Sequence, residues 1–282
     1  MITTIKNNLI SASIKHVGAE LFSLNKHHRE YIWEGNPAFW GKHSPVLFPI
    51  VGTLKNNLFT YNNQSYSLSR HGFARDYSFE VIEKSEESVT FSLKSSEETL
   101  KVYPFDFELQ ISYQLIETTL QISYKIINNT NSILPFSIGA HPAFSLPLEF
   151  ENYTLEFNCK ENLDCFTLEN DLLSDNNFKI NLVDKKLPLS YSIFEQDALI
   201  FKQLKSKEIT ILEKEQPIVK VKFDDFKNLG IWTKVNAPFV CIEPWLGYSD
   251  TIHSNNNILE KEGIQFVEAK ESKMHQFSIE VV

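Results

Sequence analysis

Three side chains in this sequence stand where they could move protons. His141 lies in "SIGAHPAF" (137–144) and Glu243 in "CIEPWLG" (241–247), and each immediately precedes a proline. Proline drives the residue before it out of the α region toward extended backbone, so both residues are expected at strand ends, their side chains held over a pocket. His71 lies in "SRHGFARD" (69–76), where Arg70, Arg75 and Asp76 crowd around Gly72. A fourth stretch, "LFPIVGTLKNNLFTY" (47–61), leads through Gly52 into a hairpin expected around Lys55–Asn57.

Each of these residues also has a plain structural reading. His71 fits a turn beside a glycine, His141 a core imidazole bonded to a carbonyl, and Glu243 a solvated strand end. Arg75 and Asp76 fit a surface ion pair of little energetic worth. The alternation of "FVCIEPW" tips the balance, because it puts Glu243 on the same face as Phe239 and Cys241. A carboxylate on an apolar face is costly unless it is paired or used. A histidine and a glutamate converging on one cleft would supply a general acid and a general base near neutral pH. Trp232, Trp245 and Phe144 offer aromatic faces of the kind that line sugar sites.

Other chemistries find less support. There is no GxSxG for a nucleophilic serine, no GxGxxG, and only 9 glycines in all. HxH, HExxH and clustered carboxylates are absent, and Cys159, Cys165 and Cys241 do not stand at metal-ligand spacing. Neither a metal nor a cofactor is therefore expected. His27, His28, His43 and His253 have no partner at useful spacing and read as surface or turn residues.

The elements that must position these groups are strands. "SVTFSLK" (88–94), "FELQISYQL" (107–115), "LQISYKI" (120–126), "YTLEFNC" (153–159), "EITILE" (208–213), "IVKVKF" (218–223) and "FVCIE" (239–243) all alternate apolar and polar residues, the pattern of half-buried antiparallel strands. No segment carries an apolar helical stripe over three turns, and "SSEETLKVYP" (95–104) is at most a short helix closed by Pro104. No linker or repeat divides the 282 residues. The expected fold is one all-β unit over 1–282, with two large antiparallel sheets packed face to face.

Composition narrows the partners. The formal net charge is −9 and the basic residues are scattered, which argues against a nucleic-acid footprint and against a polybasic membrane surface. The N-terminus shows no secretory h-region, and no stretch approaches the ~18 apolar residues of a membrane span. The expected setting is the reducing cytoplasm, as a monomer or homodimer.

In order along nearly the whole chain, "GAELFSL" (18–24), "WEGNPAFW" (33–40), "LFPIVG" (47–52), "HGFARD" (71–76), "GAHPAF" (139–144), "DALIF" (197–201) and "LGIWTKVNAPFVCIEPWLG" (229–247) resemble the aldose 1-epimerase, galactose mutarotase-like family, and within it the LacX-like branch. The resemblance implies a β-supersandwich with a hexose bound over one concave sheet. It implies Glu243 as the base at the sugar's C1 hydroxyl, His141 as the acid at the ring oxygen, and His71 as a hydrogen-bonding partner of the ring oxygen or a hydroxyl. Asp197 resembles the family's hydroxyl-binding aspartate, and Trp232 would line the sugar. The family's arginine after "PIVG" is replaced by Thr53, so Lys55 or Arg75 is expected to substitute. The activity implied is anomer interconversion of an aldose; the alternatives are a hexose-6-phosphate 1-epimerase, with Arg70, Arg75 and Lys55 near the phosphate, and a non-catalytic sugar binder. For the enzyme, burial beside Trp245 should raise the pKa of Glu243, and the carboxylate should raise that of His141.

Overall fold

The computed structural model describes all of residues 1–282 and is built almost wholly from antiparallel strands. The alternating segments form strands as expected, among them Ser88–Lys94, Phe107–Ile116, Thr119–Asn128, Tyr153–Phe157, Glu208–Glu213 and Gln216–Lys222. These six belong to a nine-stranded sheet that runs from Lys186–Pro188 at one edge to Glu80–Lys84 at the other. A second, eight-stranded sheet runs from Leu172–Ile180 through Leu163–Glu169, Leu199–Phe201, Asn228–Trp232, Phe239–Leu246 and Ile138–Ala140 to Val46–Leu47. Its eighth strand, Ala143–Ser145, pairs with Phe239–Leu246 beside Ile138–Ala140. A four-stranded meander, Ile2–Lys6 to Arg29–Glu30, precedes both sheets.

One hydrophobic cluster of 67 buried residues draws on both large sheets. Ile111, Phe91 and Ile122 enter it from the nine-stranded sheet, Leu229, Ile231, Val240 and Ile242 from the other. Side chains of a strand alternate between faces, so Phe239, Cys241, Glu243 and Trp245 point away from this core. That outer face is itself covered. All eight residues of Phe239–Leu246 are buried, which explains why the segment reads as nearly continuous apolar sequence.

Glu97–Val102 is the α-helix, capped by Ser96, whose hydroxyl accepts the Thr99 N–H while Thr99 Oγ1 accepts the Ser96 N–H. No helix is long and apolar enough to cross a membrane. The hairpin expected around Lys55–Asn57 starts later. Those three residues form a 3₁₀ turn, and the hairpin pairs Leu58–Tyr61 with Gln64–Ser67 across Asn62–Asn63, both with positive φ. His43 is also not a surface residue; it is buried, with Nδ1 2.8 Å from the Trp33 carbonyl.

Two glycines shape the outer face of the eight-stranded sheet. A Cβ on Gly139 would lie 2.5 Å from Trp245 Cδ1, and one on Gly230 would lie 2.5 Å from the far edge of the same ring. The indole therefore lies flat across the two neighbouring strands, filling the space their missing side chains leave. Neither glycine has a positive φ, so the requirement is steric. Overpacking of this kind typically costs 1–3 kcal/mol. Gly139→Ala is expected to lower the stability by about that much in urea unfolding; an unchanged midpoint would mean that Trp245 is free to move.

Candidate active site

His141 and Glu243 are brought together by strand register. Gly139 pairs with Trp245 and Ala143 pairs with Cys241. Carried across the short break between those pairs, the register sets His141 directly opposite Glu243, and the Pro142 carbonyl accepts the Ile242 N–H at 3.3 Å. Proline is normally excluded from central strands because it cannot donate to the ladder. Here Pro142 falls in the break between Ile138–Ala140 and Ala143–Ser145, and Pro244, inside Phe239–Leu246 and paired with Leu229 on its other side, borders the same interruption of the ladder. Glu243 is thus not at a strand end but in the middle of Phe239–Leu246.

His141 Nε2 lies 3.2 Å from Glu243 Oε2. The two are close but not aligned for hydrogen bonding: Glu243 Oε2, His141 Nδ1 and Trp245 Nε1 all remain without a hydrogen-bond partner in a buried setting. The Trp245 indole is near enough to favour the carboxylate electrostatically, yet its N–H makes no directed bond. Glu243 is 1 % exposed. Burial is the main force on both groups. It raises the Glu243 carboxyl well above the usual range, opposed by Arg70 and reinforced by Asp197. It lowers His141 to about 3, with Arg70 and Arg75 adding to the shift. The expectation that the carboxylate would raise the imidazole pKa fails, because in this dry setting both groups favour their neutral forms.

Aromatic rings fix the imidazole. Trp40 stacks on His141 with centroids 4.8 Å apart, and Trp232 meets it edge-on at 5.8 Å. Trp40 lies in an irregular loop with no periodicity, so nothing in the sequence pattern marked it individually. His71 stands perpendicular to His141, ring centroids 6.0 Å apart. The Gly52 N–H donates to His71 Nδ1 at 3.0 Å. A neutral imidazole has one acceptor nitrogen, so this contact puts the His71 proton on Nε2. Arg70 Nε also aims its N–H at Nε2, at 3.2 Å; one neutral imidazole cannot accept both, and the shorter, fully buried bond from Gly52 prevails. Burial, then His141, Arg70 and Arg75, hold the His71 pKa well below its ordinary value.

His71, Arg75, His141, Asp197, Trp232 and Glu243 all line one cleft of about 410 Å³. Lys42, Arg70 and Asp76 complete its polar wall, with Lys42 Nζ 3.2 Å from Asp76. Asp197 turns in at a φ of 87°, its Oδ1 accepting the Ala198 N–H. Lys55 is the exception and does not line the cleft. Its ammonium donates to the carbonyls of Ile252 and Ser254, away from the pocket. Thr53 is buried, its N–H bonded to Ser249 Oγ. Of the two substitutes expected for the missing arginine, only Arg75 is placed to act.

A grouping hidden by sequence distance also emerges. Cys241 Sγ, a His141 nitrogen and a Glu243 oxygen lie within 4.8 Å of one another, all buried. The spacing rules applied to the chain could not find it, because 100 residues separate its members.

The chain matches the aldose 1-epimerase family profile over residues 1–263. It is 33% identical over 302 residues to the plasmid-encoded protein LacX of Lactococcus lactis subsp. lactis, covering all of both chains. Among solved structures it resembles a galactose mutarotase related enzyme from Lactobacillus acidophilus at a TM-score of 0.95 and 34% identity, covering 100% of this chain and 97% of that one. A galactose mutarotase-like protein from Lactobacillus casei gives a TM-score of 0.95 at 30% identity, with both chains fully covered.

A buried ion pair braces the turn that sets the His71 tautomer. Lys261 Nζ lies 3.0 Å from Asp250 Oδ1, with side-chain exposures of 2% and 3%. Asp250 also accepts the Lys55 N–H, and its own N–H donates to the Thr53 carbonyl. Removing one partner of a buried pair strands the other charge and typically costs 3–5 kcal/mol. Lys261→Met is expected to lower unfolding stability by about 3 kcal/mol or more, read from chemical denaturation. A loss below about 1 kcal/mol would be surface-pair behaviour and would mean that Asp250 is not held by this lysine.

Proposed function

Because the chain belongs to the aldose 1-epimerase family, we propose that it is an isomerase that interconverts the α- and β-anomers of a hexose such as galactose or glucose, by acid–base ring opening without a cofactor. The observation that carries this reading is the 3.2 Å approach of His141 and Glu243 in the cleft, each with an unpartnered polar atom. The C1 hydroxyl and the ring oxygen of an aldose are bonded to the same carbon. An acid and a base that serve both must therefore be near neighbours, as these are.

The resting pair carries its one proton on Glu243. Passed to His141 across the 3.2 Å contact, it leaves a carboxylate that takes the proton of the C1 hydroxyl while the imidazolium gives its own to the ring oxygen. The C1–ring-oxygen bond breaks, leaving an open-chain aldehyde; rotation about C1–C2 and reclosure on the other face yields the second anomer. One proton shared by the two side chains is enough, since each cycle returns it. The His71 Nε2–H donates to a sugar oxygen, and Asp197 accepts from a hydroxyl. The Trp40 face against the His141 ring favours the imidazolium that forms during transfer. The cleft's three cations are matched by three carboxylates: Arg70 pairs with Asp171 at 2.8 Å and lies 3.9 Å from Asp197, and Lys42 and Arg75 both face Asp76. That balance, and the withdrawal of Lys55, favour a neutral sugar over a 6-phosphorylated one.

The proton inventory makes a specific pH prediction. Activity requires the pair to hold one proton. Acid adds a second, to His141, whose pKa is lowered to about 3; base removes the last, from Glu243, whose pKa is raised. The kcat/KM profile for anomerisation should be flat through neutrality, with its acid limb far below the ~6.5 of a free imidazole and its limbs belonging to the pair. Glu243→Gln should lower kcat by roughly 10²-fold or more while sugar binding persists. Polarimetry or exchange NMR on a panel of free and 6-phosphorylated aldoses checks both points. An active Glu243→Gln enzyme with an unchanged profile would place the base elsewhere.

A further inference from the structure

The acid–base pair has a third neighbour that anomerisation does not use. Cys241 lies two residues before Glu243 on the same face of Phe239–Leu246, and its ligand atom, one of His141 and one of Glu243 are mutually within 4.8 Å. Opposite Cys241 stands Ala143, so on that side only a methyl group flanks the thiol. Glu243 Oε2 and His141 Nδ1 are both buried without hydrogen-bond partners.

We propose that His141, Cys241 and Glu243 form a binding site for a thiophilic divalent cation of the zinc type, reached from the sugar cleft and occupied in place of the sugar. An imidazole nitrogen, a thiolate and a carboxylate oxygen match the ligand types of Zn²⁺. His141 and Glu243 line the cleft, from which water would fill a fourth position, and Cys241 lies buried behind them. Mg²⁺ and Ca²⁺ require oxygen ligands and are selected against by the thiolate. Tetrahedral coordination at ~2.0–2.3 Å needs donors closer than 4.8 Å, so the side chains converge on the ion by small rotations. His71 is not a fourth ligand. Its Nδ1 accepts the Gly52 N–H, so Nε2 carries the proton and has no lone pair to give. His141 is free of that restriction, because its Nδ1 has no partner and can hold the proton while Nε2 binds the ion.

The step balances without redox chemistry. The thiol and the carboxyl each lose a proton to solvent, one dication enters, and the net charge of the buried group does not change. The ion is not required for turnover; it competes for the two side chains that the sugar needs. The competition rests on the epimerase reading of the cleft, whereas the ion site itself does not.

Cobalt(II) titration of the metal-stripped protein tests the site directly. One equivalent should produce a thiolate-to-cobalt charge-transfer band with tetrahedral d–d absorption, displaced by Zn²⁺. Cys241→Ser should abolish the charge-transfer band, and Cys165→Ser, at a buried cysteine elsewhere, should keep it. Because Cys241→Ser could unfold the protein, anomalous diffraction from zinc-soaked crystals of the unaltered chain gives a second reading, with a peak bounded by the three side chains. No band with the unaltered protein, a band surviving Cys241→Ser, or no peak at that position overturns the proposal. Millimolar galactose should weaken the apparent cobalt affinity severalfold. Cobalt binding unaffected by any aldose would leave the ion site standing and overturn the sugar reading of the cleft.

Discussion

The site depends on one cross-strand relation, His141 opposite Glu243. It exists because Phe239–Leu246 is flanked on one side by two short strands in a common register, Ile138–Ala140 and Ala143–Ser145. The break between them is where Pro142 and Pro244 can be tolerated, and where a side chain can lean toward its neighbour instead of packing in a regular ladder. On the other side, Gly230 pairs with Glu243. The absence of a side chain there gives the Trp245 ring its place, and the ring in turn forms part of the cleft.

Burying two titratable groups this deeply is unfavourable for their charged forms, and the surroundings are arranged accordingly. Arg70 and Asp197 act on Glu243 in opposite senses, so neither overrides the desolvation. Trp40, stacked on the face of the imidazole, and Trp232, set edge-on to it, hold it by ring contacts rather than by hydrogen bonds. Polar atoms left unpaired in such a setting cost roughly 1–3 kcal/mol each. A ligand with adjacent hydroxyl and ether oxygens would relieve that cost on binding, which gives the proposed sugar-binding role a physical basis.

The second histidine is controlled from behind. The Gly52 amide determines which nitrogen of His71 carries the proton, and Gly52 itself needs a positive φ, with a Cβ there falling 2.2 Å from Ser249 Oγ. The same turn is tied through Thr53 to Asp250 and thereby to Lys261. A polar network outside the cleft thus fixes a donor inside it, and Thr53, expected from the sequence at the family's arginine position, belongs to that network.

Much of the architecture was legible in the chain. Period-two alternation marked the strands because each has one face in the core, and the carboxylate on the apolar face of "FVCIEPW" marked Glu243 as a residue in need of a partner. The prolines after His141 and Glu243 were readable as a constraint, although not as a shared break in one sheet. What the sequence withheld were relations across long separations. Lys55 looked available for the cleft, but its ammonium is taken by two carbonyls about 200 residues later. His43 looked exposed and is buried. The pKa of His141 was expected to rise and instead falls, because desolvation is a property of everything packed around a group and not of its nearest charge. Local pattern determined that there would be strands and which side chains they would present. Only the tertiary register, set by pairing between residues a hundred positions apart, decided that His141, Cys241 and Glu243 would meet.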